Sequence, residues 1–388
     1  MNSDIASFDL SGLKVAIVEN TGADFVISRL RLARYLRDRG AEIMVIVPAD
    51  GSSDEIRDAG FQTLEVSSNI RGKGIGNKLR FMRDLRKICR NNRFDIIHFY
   101  RMQPNLIGTP VASLTSKPKI VNHITGLGVV YSSRTWKNRL LQFAITSAYR
   151  LNGLLFSPHY ILQNTQDVKD LKIKKRYSVI RGSAVDEDRF NLKNVQTLEN
   201  HSDGLTFLFV SRLLKEKGVL ELVESFIAAQ SELPDGSKLQ LVGWSDPQNP
   251  SAISEQWLKD YTRAYPGIKV LGKRSDIPEL IKQADVCVLP TRYREGTPRF
   301  MLESMAMAKP IITTNMPGCD HLIPKGKNGI LVEPNDQPAL TAALLCISSL
   351  DLNAMGQAGY SLYFNEFSEK VVYSSIADVY LSMTRGSQ

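Results

Sequence analysis

Short runs of consecutive apolar residues alternate along the chain with longer stretches in which apolar positions recur every three or four residues. Residues 14–18, 42–47, 63–66, 95–99 and 119–123 read as buried strands, with two more near Ile161 and Val179. Helical periodicity fills the gaps, from about Phe25 to Arg39, Lys78 to Asn91, Pro104 to Thr115 and Trp136 to Leu151. A polar stretch from Asn191 to Gly204 interrupts the rhythm, which then restarts. Strands are expected at 205–210, 239–242, 269–271, 286–289, 311–313 and 330–332, with a helix over 219–230 after the first and further helices between the others. Apolar strands alternating with amphipathic helices predict parallel sheets covered on both faces. The expected fold is α/β, with two Rossmann-like domains facing a cleft, at 1–190 and 205–366. A last helical segment, 367–388, closes the chain.

Composition supports that division. At 388 residues the chain can build two domains of ordinary size, and 43% hydrophobic with 23% charged residues is the balance of a soluble globular protein. Asp4 and Asp9 stand where a signal peptide needs a basic and then an apolar start. Arg150 interrupts the best apolar run, between Leu140 and Leu162, so no spanning segment is expected. Cys89, Cys287, Cys319 and Cys346 form no C-x-x-C pair, which points to a reducing compartment and to no structural zinc. The protein is therefore expected in the cytoplasm. Its formal charge of +9 suggests an anionic partner; nucleic acid, anionic lipid and a phosphorylated substrate all qualify.

The chemistry concentrates in Arg294-Glu295-Gly296-Thr297-Pro298-Arg299-Phe300-Met301-Leu302-Glu303. A strand-like run ends at Pro290, and helical character continues to about Lys309. Pro298 suits the first helical position, which makes Thr297 the expected N-cap. Gly296, Thr297, Pro298 and Arg299 then form a helix start whose N–H groups and dipole stabilise an anion such as phosphate. Glu295 and Glu303 bracket that anion with acceptors suited to hydroxyl-rich ligands, a sugar on one side and a ribose on the other. Phosphate between two polyols describes a nucleotide sugar.

A second anion loop is expected at Ser211-Arg212-Leu213-Leu214-Lys215-Glu216-Lys217-Gly218, where Arg212 and Lys217 can reach one anion beside a helix start. Gly243 ends the next strand and leaves room for a ligand against bare backbone. Lys273-Arg274-Ser275-Asp276 precedes another helix, with Asp276 as a plain N-cap. Asp186-Glu187-Asp188 has a D-x-D form known from metal-bound nucleotide sugars, but its place before Arg189-Phe190-Asn191 at the domain junction reads as structural. No His and carboxylate cluster supports a metal site.

Glu295-x7-Glu303 is followed by Ser304-Met305-Ala306-Met307-Ala308-Lys309-Pro310-Ile311-Ile312, then Pro317-Gly318-Cys319 and Asn328-Gly329-Ile330-Leu331-Val332. This half of the chain resembles the donor-binding half of the glycosyltransferase family 4 enzymes. The resemblance implies the GT-B fold, with a final helix from about Glu369 to Met383 crossing back to the N-terminal domain. It also implies a retaining hexosyl transfer from a nucleoside-diphosphate sugar, UDP above all, without a metal or other cofactor. Arg212 and Lys217 would then hold the diphosphate, Glu295 orient the sugar, Glu303 bind the ribose, and the Arg274 loop flank the base. A Val-Asp-x-x-x-Phe turn at Val185 to Phe190 fits the same family. In the N-terminal half, Asn122-His123-Ile124-Thr125-Gly126-Leu127-Gly128 is similar to a Thr/His-Gly-Leu-Gly stretch of bacterial polysaccharide-assembly members. His123 is there either a packing residue or a sugar contact. Gly22, in the first strand–helix loop, would allow donor or acceptor to approach the backbone.

Arg71 to Arg93 carries nine Lys or Arg against the single acid Asp84. Leu79, Met82, Leu85 and Cys89 fall on one helical face, expected to be the buried one, with Gly72, Gly74 and Gly76 in a basic loop before it. Such charge draws a protein to anionic lipid, which suits a lipid-linked saccharide acceptor on the inner face of a bacterial membrane. One rival reading is a nucleotide-sugar epimerase of the same fold, against which the Arg212/Lys217 and Glu295/Glu303 pairs argue. The other is a nucleic-acid-binding protein, which the basic segment's lack of interleaved aromatics disfavours.

Overall fold

The apolar runs 15–18, 43–47 and 286–289 form strands hidden from water on both sides. A computed structural model describes residues 8–67, 74–132, 135–194, 204–246 and 249–385. Two compact units divide the chain: residues 1–184 with 369–388, and residues 185–368.

The first unit contains β1 (Lys14–Val18), β2 (Glu42–Pro48), β3 (Gln62–Val66), β4 (Ile96–Tyr100), β5 (Lys119–Ile124), β6 (His159–Leu162) and β7 (Tyr177–Val179). All pair in parallel in the order β3-β2-β1-β4-β5-β6-β7. After Lys14, β1 and all of β4 are buried on both faces, as strands covered by helices on each side must be. The second unit contains β8 (Thr206–Val210), β9 (Lys238–Val242), β10 (Ile268–Gly272), β11 (Val286–Leu289), β12 (Ile311–Thr314) and β13 (Gly329–Val332). These too are parallel, in the order β10-β9-β8-β11-β12-β13. One device recurs in both. Asp95, just before β4, accepts the N–H of Lys14 at 2.8 Å, and Asp285, just before β11, accepts that of Thr206 at 2.7 Å. Each carboxylate satisfies a strand-end donor that has no ladder partner.

The closing helix Glu369–Arg385 belongs to the first unit. Val372, Ile376 and Tyr380 are buried with Ile17, Val45 and Ile161, and the Glu369 carboxylate takes two hydrogen bonds from Arg31. The first unit ends at Ala184, so Val185 to Phe190 packs with the second; Phe190 lies in the same core as Phe207.

Three elements differ from the periodicity. The helix expected from about Phe25 to Arg39 is broken into Gly22–Ser28 and Leu30–Arg37 at Arg29, whose φ of −127° and ψ of −19° leave the helical range. The break lets the Arg29 side chain turn into the protein, where it is 4% exposed. The helix Trp136–Phe156 runs five residues past Leu151. In the helix Ile75–Asn91 the buried face is Phe81, Leu85 and Cys89, spaced four apart, while Leu79 and Met82 are exposed. The expected face was set one position off, because Phe81 outweighs either neighbour in apolar area. Arg71, Gly72 and Lys73 lie outside the described residues. Gly74 caps the helix and Gly76 is within it.

Candidate active site

In the second sheet the chain proceeds outward to β10 on one side of β8 and to β13 on the other. Loops leaving β8 and β11 therefore diverge, and a crevice opens between them at the carboxyl end of the sheet. Both anion-binding candidates sit there. After β8 the chain passes Arg212 and a 3-10 turn, Lys215–Lys217, into the helix Val219–Ala229. After β11 it passes Glu295 to Pro298 into the helix Arg299–Ala306. Lys217 Nζ lies 2.5 Å from Glu295 Oε1 and 5.1 Å from the Tyr293 ring centre. The pair thus joins the two loops across the crevice, with the lysine side chain 8% exposed.

Gly218 makes this closeness possible. Its φ is +77°, and a Cβ there would fall 2.1 Å from the Pro290 carbonyl oxygen, so only glycine lets the first loop rest on the end of β11. Gly318 does the same for the loop after β12. Its φ is +96° and its Cβ would meet the carbonyl oxygens of Glu295 and Gly296 at 2.5 and 2.4 Å. Arg212 is half-buried and makes no ion pair among the described residues.

Glu303 is 8% exposed and one turn into its helix, where Arg299 Nε holds Oε1 at 2.8 Å. Burial pushes its carboxyl above the usual range, and the Arg299 charge opposes that shift. Thr297 and Pro298 differ from expectation. Pro298, extended at ψ 122°, is itself the N-cap, no side chain caps the first turn, and the Thr297 hydroxyl lies 3.4 Å from His321 Nε2. An uncapped first turn at a sheet's carboxyl edge remains suited to an anion. The helix ends at Ala306 instead of near Lys309, because Ala308 turns left-handed at φ 51°.

Other expected residues are placed as follows. Arg274 pairs with Asp276 at 2.5 Å on the surface, so the Asp276 carboxylate does not cap its helix. Gly243 is required by the chain itself, since a Cβ would lie 1.9 Å from the Ser211 carbonyl oxygen. At Gly22 a Cβ would meet Ser52 at 2.7 Å, and its N–H is held by Asp50. Asp186 accepts the N–H groups of Asp188 and Arg189, making a turn. Cys89, Cys287 and Cys319 are buried thiols and Cys346 is exposed.

The first unit has its own buried polar cluster where β1 meets β4. Glu19, directly after β1, is fully buried; it accepts the Asn20 N–H and Arg101 Nε, both at 2.9 Å, and lies 3.4 Å from Arg29 Nε. The Arg29 guanidinium sits 3.9 Å above the Tyr100 ring. Tyr100 stacks on His98 and on His123, with centroids 4.2 and 4.7 Å apart. The His98 Nδ1 is 2.6 Å from the Tyr380 hydroxyl. His123, 1% exposed, has no hydrogen-bond partner at either ring nitrogen among the described residues. Glu19, Arg29 and Arg101 were not anticipated from sequence; a charged residue abutting an apolar strand end, Glu19-Asn20, was the available signal.

Comparison with known proteins agrees with this geometry. Residues 14–157 match the family model described as glycosyl transferase 4-like, and residues 204–349 match glycosyl transferases group 1. The chain is 28% identical over 370 residues to the N,N'-diacetylbacillosaminyl-diphospho-undecaprenol alpha-1,3-N-acetylgalactosaminyltransferase of Campylobacter jejuni, covering 91% of this chain and 95% of that one. It is 24% identical over 391 residues to the UDP-Gal:alpha-D-GlcNAc-diphosphoundecaprenol alpha-1,3-galactosyltransferase of Escherichia coli, covering 96% and 98%. An Anabaena protein solved in complex with UDP-glucose superposes with a TM-score of 0.73 at 17% identity, covering 95% of this chain and all of that one. The protein is an enzyme of the GT-B fold that transfers glycosyl groups. It is a glycosyltransferase of the family 4 type.

The histidines make the first unit acid-sensitive. Burial, then the Arg29 charge, holds His98 well below the usual histidine range; burial, then His98 and Arg29, does the same for His123. Both stay neutral when folded and take up protons when unfolded below about pH 6.5, so the unfolded state binds more protons there and stability falls as pH drops. Thermal unfolding of the first unit should shift downward between pH 7.5 and 5, and His123→Phe, which keeps the ring stack, should make that shift smaller. An unchanged slope in that variant would count against the assignment.

Proposed function

We propose that the enzyme transfers a hexose or N-acetylhexosamine, with retention of configuration, from a UDP sugar to a lipid-diphosphate-linked saccharide in surface polysaccharide assembly. The Lys217–Glu295 contact across the crevice of the second sheet carries this reading. It puts a buried cation and an acceptor side by side next to the uncapped helix start at Arg299, as a sugar diphosphate requires. Arg212 and Lys217 take the diphosphate charge and stabilise the leaving group from fixed positions, where such charges are most effective. Glu295, already held by Lys217, orients the sugar through its second oxygen. Glu303, held by Arg299, accepts from the ribose. A carboxylate pinned by a cation is a better acceptor than general base, which favours retention over inversion. His123, the buried ring at the end of β5, is the first unit's candidate for a sugar contact.

The activities of the relatives support the substrates. The Escherichia coli enzyme uses UDP-Gal, and both curated relatives act on a diphosphoundecaprenol-linked sugar. The Anabaena structure holds UDP-glucose. Reaction of purified protein with a panel of UDP sugars and a diphosphoundecaprenol-linked saccharide tests the reading; conversion of free donor without transfer would instead identify an epimerase.

Two outcomes are expected at the donor site. Glu303→Ala should weaken UDP-sugar binding by roughly 1–3 kcal/mol, the range for losing a charged hydrogen bond, measured by calorimetry on the folded variant. Unchanged affinity would remove Glu303 from the site. Activity should also survive EDTA, because Arg212, Lys217 and the helix start supply the positive charge and Asp186 is engaged in its own turn. A strict requirement for added magnesium or manganese would reopen the Asp186/Asp188 pair.

A further inference from the structure

The helix Trp136–Phe156 is apolar on the wrong side for a helix of a water-soluble unit. Ile145, Tyr149 and Asn152 face inward, and the helix is tied down there. Asn152 Nδ2 donates to the Leu106 carbonyl at 3.2 Å, and the Tyr160 hydroxyl donates to the Tyr149 carbonyl at 2.9 Å. The opposite face should then be polar. It carries Trp136, Leu140, Phe143, Leu151 and Leu154 instead, spaced four, three, eight and three residues apart, which is one stripe of a 3.6-residue helix. Trp136 is 72% exposed, Phe143 71% and Leu154 79%. An exposed apolar stripe of this length, about 30 Å for 21 residues, is rare on a monomer and marks an interaction surface.

Charge identifies what it meets. From Ile96 to Gln166 the chain contains no acidic residue, while Arg139 and Arg150 flank the stripe. A groove of about 530 Å³ runs beside the helix, lined by Arg150, Leu151 and Leu154 on one side and by Lys172, Lys174 and Lys175 on the other. The helices Met102–Thr115 and Ile75–Asn91 lie next in the same layer. They expose Leu114, Leu79 and Met82, with Arg83 and Arg86 beside Met82 around a second groove. An apolar face flanked by arginines and lysines, with tryptophan at its end, is the composition of an interfacial helix lying in the headgroup region of an anionic bilayer. No single described helix is long and apolar enough to cross one.

We infer that the outer face of the helix Trp136–Phe156 inserts in the plane of an anionic phospholipid surface, and that Lys172 to Arg176 bind the headgroups beside it. The inference rests on the proposed lipid-linked acceptor only for its purpose, and the vesicle-binding measurements that decide it need no acceptor. The full chain is sedimented with vesicles of phosphatidylcholine, alone or with a quarter phosphatidylglycerol. Binding to the mixed vesicles is expected. Leu140→Gln/Phe143→Gln/Leu154→Gln should lower it at least tenfold at both low and high salt. Lys174→Gln, Lys175→Gln and Arg176→Gln should each lower it about fivefold at low salt, the equivalent of ~1 kcal/mol per charge, and much less at high salt. Arg80→Gln/Arg83→Gln/Arg86→Gln/Arg90→Gln, on the neighbouring helix, should lower binding further at low salt, having removed four charges, and should show the same relief at high salt. In a Trp244→Phe/Trp257→Phe background Trp136 is the sole tryptophan, and its emission should shift blue and be quenched by brominated lipid. All variants should unfold at the wild-type temperature and transfer normally to a short water-soluble acceptor analogue. Vesicle binding without quenching of Trp136 would overturn the inference, as would no binding. So would a wild-type dimer that the triple variant dissociates, since a second copy would then cover the stripe. Failure to transfer to any acceptor with vesicle binding intact would sink the proposed function and leave this surface standing.

Discussion

The second unit depends on a contact that is costly to keep. Lys217 and Glu295 are brought together by two loops that leave neighbouring parallel strands in opposite directions, and both lose most of their water in the process. Such a pair offsets desolvation only while both partners are present; removal of either leaves a buried charge. The backbone accommodates it through two left-handed glycines. Gly218 presses on the end of β11 and Gly318 on the Glu295–Gly296 backbone. A structure that keeps a largely desolvated cation at the mouth of a parallel sheet holds binding energy ready for an anion.

The first unit uses the same topology differently. At its own β1/β4 junction the polar groups are buried and mutually engaged. Glu19 sits between Arg29 and Arg101, with Tyr100, His98 and His123 stacked beneath Arg29. Burial keeps the histidines neutral, so the Arg29 charge is balanced by Glu19 alone within this group. The break in the helix at Arg29 is the local cost of bringing that guanidinium inside. The closing helix seals the arrangement through Tyr380, which reaches His98 from the far end of the chain.

Outside these junctions, polarity is inverted on an outer surface of the first unit. The helical layer formed by Ile75–Asn91, Met102–Thr115 and Trp136–Phe156 buries aromatic and aliphatic residues as any such layer must, and then exposes a second set outward among arginines and lysines. A core requires the first set. Nothing within the fold requires the second, so its meaning lies in what the surface touches.

Periodicity alone determined the strands, their parallel pairing and the two-sheet plan, because strands buried on both faces must be apolar throughout and their helices amphipathic. The spacing of Arg212, Lys217, Glu295 and Glu303 relative to strand ends also placed them at one edge, since parallel strands put every such loop on the same side. What the sequence could not show was partnership. That Lys217 grips Glu295, that Glu303 belongs to Arg299, and that Thr297 turns to His321 depend on side-chain directions set by residues distant in the chain. At Gly22 and Gly243 the tertiary structure adds a demand the sequence did not show, since a side chain there would meet Ser52 and Ser211. Leu79 and Met82 looked buried, and Phe81 displaced them. The fold's outline follows from local hydrophobic pattern. Charge pairing, close approach and the facing of a helix are decided by contacts between segments that only packing brings together.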